Sequence, residues 1–426
     1  MSGNRQWTVM IYMAGDNNLD ADGLSDLYEI KRVGSTVGVV DIVAQFDRAD
    51  PGKPTRRYHL HHWSQTNLQE DVIETLPETN TGDARELTKF IQMGIDKFPA
   101  DKYLVIIWAH GTGAFDEDIF GFGSKASSTA RSRAIKRHLK RHGIFRPRPA
   151  VLSEVAPPSG LSDDSSGLSE LPLVLEAIAP DDTSKDFLDN VELKKALNDV
   201  TKPIDILGMD ACLMSMAEVC YQVRENVRIT IGSEAEEDLD GWPYGGFLSR
   251  LVDNPGMTPP QLAEAIVEEF KRKYSAMEDV AATLSACDVQ ESVVEELAQK
   301  INALAESMIN NFGSHADVIS LARFRCWENM LIESVDLLDF CTLLNERSTN
   351  EDVQKACKDI IEFIGGQNFV FKRTSVGSDV FFANGLGIYF PTTKVSGLYS
   401  NLDMIKDNKT RWLEFIDRFV QMNKRV

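Results

Sequence analysis

Two apolar runs of strand length are the most constraining feature of this sequence, because each ends abruptly in a turn of small residues. YLVIIWAHGTG, at 103–113, places His110 directly after its apolar part. IDILGMDACLMSMAEV, at 204–219, places Cys212 in the same position. Side chains at the carboxyl ends of neighbouring parallel strands converge on one crevice, so these two residues can reach one substrate. The sequence therefore predicts a Cys/His nucleophilic pair.

The two residues suit the two halves of thiol catalysis. Cys212 is the candidate nucleophile, and His110 is the candidate proton-transfer group. Residues 213–223 show helical spacing, which predicts a helix whose dipole lowers the pKa of the Cys212 thiol. Gly111 lacks a Cβ, so its N–H and that of Cys212 are predicted to form the oxyanion hole. Taken singly, a strand-closing histidine and an inert buried thiol are the alternatives.

The same segments resemble the clostripain-like cysteine peptidases, relatives of caspases, gingipains and legumains. The likeness rests on His-Gly after one apolar strand, Asp-Ala-Cys after another, and the opening WTVMIYMAGDNNLD. Four further matches extend it over most of the chain: DGWPYGGFL at 240–248, LSACD at 284–288, DLLDF at 336–340 and GLGIYFP at 385–391. The resemblance implies a caspase-like three-layer α/β sandwich, a dyad of Cys212 and His110, and cleavage after basic residues.

Strand-like and helix-like patterns alternate along the first part of the chain. This alternation predicts an α/β fold with a mostly parallel central sheet covered on both faces. Residues 1–275 are therefore assigned to the catalytic core. Residues 276–426 are richer in helical patterns and are expected to form a helix-rich C-terminal subdomain packed on the core. Within them, FFANGLGIYFP at 381–391 is predicted to return a strand to the central sheet.

Acidic residues follow the same strand ends. Asp210 precedes Cys212 by two residues, so in extended backbone both side chains face the same way. A buried carboxylate favours a substrate with Arg or Lys at P1, because an unpaired buried charge is costly. By family likeness Asp210 is the first candidate for the S1 pocket, and Asp240 is the second. Asp240 lies in the acidic segment SEAEEDLDGWPY, at 233–244. Its other acidic residues are interpreted mainly as solvated surface, among them Glu234, Glu236 and Glu237.

A basic segment separates the two strand ends. Residues 124–153 contain nine Lys or Arg and no Asp or Glu, although the chain has a net charge of −20. Residues 124–188, basic and then rich in Pro, Ser and acidic residues, are predicted to form a flexible linker that is cut during processing. Because proline follows Arg146 and Arg148, the expected cuts lie after Arg131, Arg133, Lys136, Arg137, Lys140 and Arg141. Binding of nucleic acid or an acidic partner is the alternative role of this segment.

Composition restricts partners and location. The negative net charge argues against nucleic-acid binding by the whole chain. The apolar run from Trp7 to Ala14 is too short to span a membrane and lacks a secretory pattern. Six cysteines without disulfide-framework spacing fit a reducing compartment. A cytoplasmic enzyme acting on peptides or proteins, without a membrane partner, is expected, and an upstream activating protease remains open.

No metal is needed for thiol chemistry, but one segment invites a calcium interpretation. Residues 13–26 offer oxygen ligands at Asp16, Asn17, Asn18, Asp20 and Asp22. The ligand order of an EF-hand and its closing Glu are missing. A tight turn followed by a helix cap is the favoured interpretation. The family likeness leaves Ca²⁺ dependence open.

The leading hypothesis is a cysteine endopeptidase that cleaves after Arg, secondarily after Lys, and is made as a precursor. Two alternatives belong to other classes. One is a caspase-fold binding or scaffold protein without turnover. The other is an amidase or transferase that uses the same thiolate on a small molecule.

Overall fold

The computed structural model describes residues 5–49, 53–114, 178–329, 332–406 and 409–424. Its strands are β1 (Arg5–Gly15), β2 (Val40–Arg48), β3 (Arg56–His59), β4 (Val72–Thr75), β5 (Ala100–Trp108), β6 (Ile178–Asp181), β7 (Asp186–Leu188), β8 (Ile204–Asp210), β9 (Val227–Gly232), β10 (Ala282–Asp288), β11 (Glu328–Asn329), β12 (Ser334–Asp336), β13 (Val370–Val376) and β14 (Gly387–Tyr389). Its helices are α1 (Asp20–Val33), α2 (Ala84–Lys97), α3 (Asn190–Asn198), α4 (Ala217–Val223), α5 (Tyr244–Asp253), α6 (Pro259–Tyr274), α7 (Glu291–Arg325), α8 (Leu337–Arg347), α9 (Glu351–Gly365) and α10 (Trp412–Asn423).

The central sheet has the order β13-β10-β9-β8-β5-β1-β2-β3-β4. The five inner strands from β9 to β2 are parallel, and antiparallel strands extend both edges. The predicted α/β fold with a mostly parallel sheet is confirmed. Local sequence signals fix some helix starts: the Thr258 and Gln261 side chains form a capping box at the start of α6.

One predicted strand joins a different sheet. Residues 387–389 pair with β12 in a separate three-stranded sheet, and the Gly387 N–H donates to the Ser215 carbonyl oxygen at 2.9 Å. The prediction that this segment returns to the central sheet is therefore wrong. An apolar pattern predicts a buried strand but does not specify its partner. β13 occupies that edge of the central sheet instead.

Helices cover both faces of the sheet because its inner strands are apolar on both faces. Along β1, Val9 and Ile11 pack in the core formed with α1, α5 and α6, whereas Met10 and Tyr12 pack in the core with the remaining helices. This alternation follows from the two-residue period of a strand. The boundary near residue 275 stays a prediction; β9 and β10, which flank it, pair within one sheet.

The sheet order changes direction between β1 and β5. The chain proceeds from β1 to β2 on one side, and from β5 to β8 and β9 on the other. Such a switch point leaves a crevice at the carboxyl ends of the strands. Asp16 follows β1, His110 follows β5 and Cys212 follows β8, so all three lie at this end of the sheet. Within the described residues, no helix is long and apolar enough to cross a membrane.

Candidate active site

The register between β5 and β8 brings the two candidate catalytic residues to the same level. Trp108 pairs with Asp210, and the Ala109 N–H donates to the Asp210 carbonyl oxygen at 3.2 Å. His110 and Cys212 each lie two residues beyond this pair. Because neighbouring strands are about 4.8 Å apart, the two residues leave the sheet side by side, as their sequence positions predicted.

The glycines after His110 allow two turns to pack backbone against backbone. A Cβ at Gly111 would lie 2.7 Å from the Cys212 carbonyl oxygen, and one at Gly113 would lie 2.5 Å from that of Leu213. Leu213 adopts a φ of 67°, a left-handed conformation that costs a non-glycine residue about 1–2 kcal/mol. In the described part of the chain, the N–H groups of Gly111 and Cys212 donate no hydrogen bond. Both are therefore available to a ligand.

Gly111→Ala should lower kcat by about 100-fold. The added methyl group would displace the turn that carries Cys212 by up to about 1 Å, and a displacement of this size misaligns the reacting atoms. The melting temperature should fall by a few degrees, because crowding in a buried turn costs about 1–3 kcal/mol. Gly313→Ala is the matched control, since a Cβ at that glycine of α7 meets no atom within 4 Å. Peptide-cleavage kinetics and thermal unfolding provide the measurements. A Gly111→Ala enzyme with the kcat of Gly313→Ala would show that the close packing of the turns is unimportant.

Asn18 holds the imidazole of His110. The Asn18 Oδ1 atom lies 3.0 Å from Nε2 of His110. An amide oxygen only accepts hydrogen bonds, so Nε2 of His110 is the donor in this contact. Asn17 braces the same turn by donating from Nδ2 to the carbonyl oxygens of Ala14 and Pro180, both at 3.0 Å. From the sequence, Asn18 was predicted to be part of a tight turn or a calcium ligand, but not a partner of His110.

The Cys212 thiol lies beneath the loop that follows β9. The Glu237 N–H donates to Sγ at 3.2 Å. Burial, followed by the negative charge of Glu237, raises the pKa of the Cys212 thiol to about 12. The predicted helix over 213–223 begins only at Ala217, so its N-terminus is displaced from Cys212 along the chain. The prediction of a lowered pKa is therefore wrong for this state, and the thiol is neutral at pH 7.

The carboxyl groups of Asp210 and Glu237 lie near this thiol, and a third, that of Asp26, lies near Asp210. Asp210 is 5% exposed, and its Oδ2 accepts from the Tyr244 hydroxyl at 2.7 Å. One oxygen of Glu237 lies 3.4 Å from Nε1 of Trp242, and the other is buried without a partner. Asp26, on α1, accepts from Nε1 of Trp108 at 2.8 Å. Asp26, Asp210 and Glu237 are called the S1 acidic cluster below, after the prediction that Asp210 lines the S1 pocket, which stays a prediction here.

The positive charge of Lys273 offsets only part of the negative charge of the S1 acidic cluster. Burial, followed by the charge of Asp210, raises the pKa of Asp26 to about 8. Burial and the charge of Asp210 also raise the pKa of Glu237 well above its usual value. No ion pair to these three carboxylates occurs within the ranges that the structure describes. The nearby ammonium group of Lys273 donates to the backbone carbonyl oxygens of Asp240 and Gly241.

The structure separates the acidic residues that the sequence had grouped. Glu234 is 2% exposed and accepts from the Gly385 N–H at 2.7 Å, so its interpretation as solvated surface is wrong. The same interpretation is wrong for Glu237. Asp240 is exposed and lies at the rim of the cluster. The predicted cut sites, from Arg131 to Arg141, lie outside the described residues.

Comparison with known proteins decides the family. The model of the clostripain family matches residues 11–126 and 164–418. The chain belongs to this family of cysteine peptidases. It is 23% identical to clostripain from Hathewaya histolytica over 478 residues, which cover 95% of this chain and 81% of clostripain.

Solved structures of family members share the fold. One is a secreted C11 cysteine protease from Bacteroides thetaiotaomicron in complex with an irreversible peptide inhibitor; it has a TM-score of 0.61 and 17% identity, covering 97% of this chain and 99% of that chain. Another is an inactive zymogen C11 protease from Parabacteroides distasonis, with a TM-score of 0.61 and 18% identity, covering 95% of this chain and 98% of that chain. Both structures therefore match this clostripain-family chain over nearly its whole length.

Proposed function

We propose that the protein is a cysteine endopeptidase that cleaves polypeptides after Arg, and less efficiently after Lys. The observation that most supports this specificity is the S1 acidic cluster near Cys212. The carboxyl groups of this cluster form no ion pair in the described part of the chain. A guanidinium group entering this cluster would supply the missing charge. Its planar fork can also donate two hydrogen bonds to one carboxylate, which an ammonium group cannot match.

The chemistry assigns one role to each residue of the pair. His110 takes the proton of the Cys212 thiol, and the resulting thiolate attacks the carbonyl carbon of the scissile bond, while the N–H groups of Gly111 and Cys212 bind the oxyanion. His110 transfers a proton to the departing amine, which leaves a thioester on Cys212. Water, deprotonated by His110, then attacks this thioester, releases the acid product and restores the thiol.

The protein is made as a precursor, and cleavage between residues 124 and 153 activates it. This basic segment lies largely in the interval between the two matched ranges, 11–126 and 164–418. Because it is tethered to the strand that carries His110, it has a high effective concentration near the S1 acidic cluster. The raised pKa of the half-buried Cys212 thiol supports a precursor state. The related zymogen from Parabacteroides distasonis is a precedent for this form of control.

Asp210→Asn and Glu237→Gln should each lower kcat/KM for a peptide with Arg at P1. This loss should be about 10- to 100-fold larger than the loss for a neutral peptide of the same shape, because only the charged substrate loses a desolvated ion pair. Asp240→Asn is the matched control at the exposed rim, where solvent screens the charge and the loss should be smaller. Equal losses for charged and neutral substrates would assign these carboxyl groups to the fold. A wild-type preference for Asp or Asn at P1 would exclude a basic specificity.

The cytoplasm is the compartment that we assign to this activity. All six cysteines lie in described residues, and none forms a disulfide bond. This supports a reducing environment, although the Bacteroides relative is described as secreted. Mass spectrometry after thiol alkylation of protein from its native source should detect six free thiols. A disulfide-linked peptide would contradict the assignment. Neither the scaffold nor the small-molecule amidase hypothesis is favoured by an observation in the structure.

A further inference from the structure

An exposed aromatic patch lies on the loop that follows β13, at residues 377–384. Phe381 is 72% exposed, and its ring contacts that of Phe382 edge to face, with the centroids 5.1 Å apart. Phe381 and Phe382 are called the aromatic patch below. Trp327 supports the loop by donating from Nε1 to the Asp379 carbonyl oxygen at 2.9 Å. Neighbouring aromatic side chains with exposed area mark an interaction surface, because contact of apolar area with water is unfavourable.

Both ends of this loop are fixed. At its start, Gly377 adopts a φ of 105° and leaves no room for a Cβ beside the Val280 carbonyl oxygen. At its end, the Gly385 N–H donates to Glu234 at 2.7 Å, and the Gly385 carbonyl oxygen accepts from the Ser215 hydroxyl at 2.7 Å. A loop held in this way presents its side chains to a ligand with little loss of conformational entropy.

The sheet places this loop at the same end as Cys212. β9 is parallel to β8, β10 is antiparallel to β9, and β13 is antiparallel to β10, so β13 and β8 end on the same side. Ala235 connects the two regions: its carbonyl oxygen accepts from the Leu213 N–H at 3.1 Å, and its side chain packs with Val380 and Ala383. The loop above Cys212 therefore contacts the loop that carries the aromatic patch.

The proposed roles of His110 and Cys212 set the direction in which a substrate crosses the site. His110 protonates the departing amine, so the half of the substrate that carries this amine lies on the side of β5. The acyl half then extends from Cys212 to the other side, over β9 and β10 toward β13. Three strand spacings, about 14 Å, separate β8 from β13, and three extended residues span about 10 Å. Because the loop folds back onto Ala235, a side chain between P2 and P4 can reach the aromatic patch.

We propose that the aromatic patch is a substrate subsite that binds an apolar side chain between P2 and P4. This inference rests on the proposed peptidase function and adds a second determinant to the S1 acidic cluster. The cluster selects by charge, whereas the patch selects by the apolar area that it removes from water. A polypeptide with an apolar residue shortly before Arg is therefore a better substrate than one with Arg alone.

Cleavage of matched peptides tests the subsite. The cut enzyme is given a peptide with Arg at P1 and Ser at P2, P3 and P4, and three variants that carry Leu at one of these positions. We expect Leu to raise kcat/KM about tenfold at one position or more, because the patch removes much of its surface from water. Phe381→Ser should remove most of this gain, so it should lower kcat/KM about five- to tenfold more for the Leu peptide than for the Ser peptide.

Trp63→Ser is the matched control, because it also removes an exposed aromatic ring. Trp63 is 63% exposed and follows β3, which runs antiparallel to β2 and therefore ends toward the opposite end of the sheet. This variant should keep the full gain from Leu. The melting temperatures of both variants should stay within about 2 °C of that of the parent, since both side chains are exposed.

Two measurements separate the subsite from the proposed function. Equal kcat/KM for the Leu and Ser peptides at all three positions, or an undiminished gain in Phe381→Ser, would overturn the subsite. So would a dimer that dissociates in Phe381→Ser while the gain persists, because a second copy would then occupy the patch. Binding of the same peptides to Cys212→Ala, cut in the basic segment with trypsin and followed by fluorescence anisotropy, should show the same preference for Leu without turnover. Absence of cleavage by the cut parent would contradict the peptidase function, whereas equal binding of the Leu and Ser peptides would contradict the subsite.

Discussion

Cys212→Ala is expected to abolish peptide cleavage, and His110→Ala is expected to lower kcat by about 10⁴-fold or more. The first change removes the atom that forms the thioester, so no alternative nucleophile of comparable reactivity remains at the end of β8. The second removes both thiolate formation and protonation of the leaving amine. Steady-state kinetics with the cleaved enzyme and an Arg peptide measure both effects.

Cys220→Ala is the matched control for loss of a thiol. Cys220 is buried on α4, where its Sγ lies 3.5 Å from the Thr230 hydroxyl oxygen. Its replacement creates a small cavity and should lower the melting temperature slightly, with kcat/KM within about threefold of the parent. Cleavage by Cys212→Ala at the parent rate would refute the assignment of the nucleophile.

Cutting the basic segment is expected to raise the alkylation rate of Cys212 by about 100-fold or more at pH 7. A thiol with a pKa of about 12 is ionised in about one molecule in 10⁵ at that pH. Only the thiolate reacts, so the rate in the uncut chain should rise about tenfold per pH unit between pH 7 and pH 10. In the cut chain, the rate should level off at a lower pH, because His110 and the open cleft lower the thiol pKa. Timed iodoacetamide labelling with peptide mass analysis follows Cys212 separately from the buried cysteines.

A chain in which all six candidate cut sites are changed to Gln is the control for cleavage, and it should stay uncut and weakly active. The changes are made at Arg131, Arg133, Lys136, Arg137, Lys140 and Arg141. Full activity in a chain whose intact mass shows no break between Lys125 and Arg148 would refute activation by cleavage. A cut that appears in Cys212→Ala would identify a separate protease as the activator.

The positions at which β5 and β8 end could be predicted from the sequence, because a continuous apolar run and the turn residues after it are local features. Continuous apolar runs identified β5 and β8, and parallel pairing then placed His110 beside Cys212. The helix after Cys212 was predicted four residues too early. Leu213 and Met216 continue the helical spacing, but the Leu213 and Ser215 N–H groups bond to Ala235 and Ser233 in the next loop. Tertiary contacts therefore override the local pattern there.

Contacts between distant segments could not be predicted from the sequence. Asp26 lies near Asp210 because α1 packs against β1 and α5, which brings the Asp26 carboxylate to Nε1 of Trp108 and to Gly241. Nothing around Asp26 in the sequence distinguishes it from other acidic residues on a helix surface. Glu237 lies in a loop rich in acidic residues, which resembles solvated surface by composition. Likewise, the sequence around Asp16 showed a run of oxygen ligands, but the buried carboxylates of Asp47 and Asp181, which lie near that of Asp16, come from other strands. Their proximity depends on the topology of the whole sheet.

Cleavage of peptides that differ only at P1 tests the central claim most directly. Purified, cut enzyme is compared with Cys212→Ala on matched peptides carrying Arg, Lys, Gln or Asp at P1, and the products are identified by mass. Our account predicts the highest kcat/KM for Arg, a lower value for Lys, values lower by at least about 100-fold for Gln and Asp, and no cleavage by Cys212→Ala. Preferential cleavage after Asp or Gln, or cleavage that survives the loss of Cys212, would contradict it.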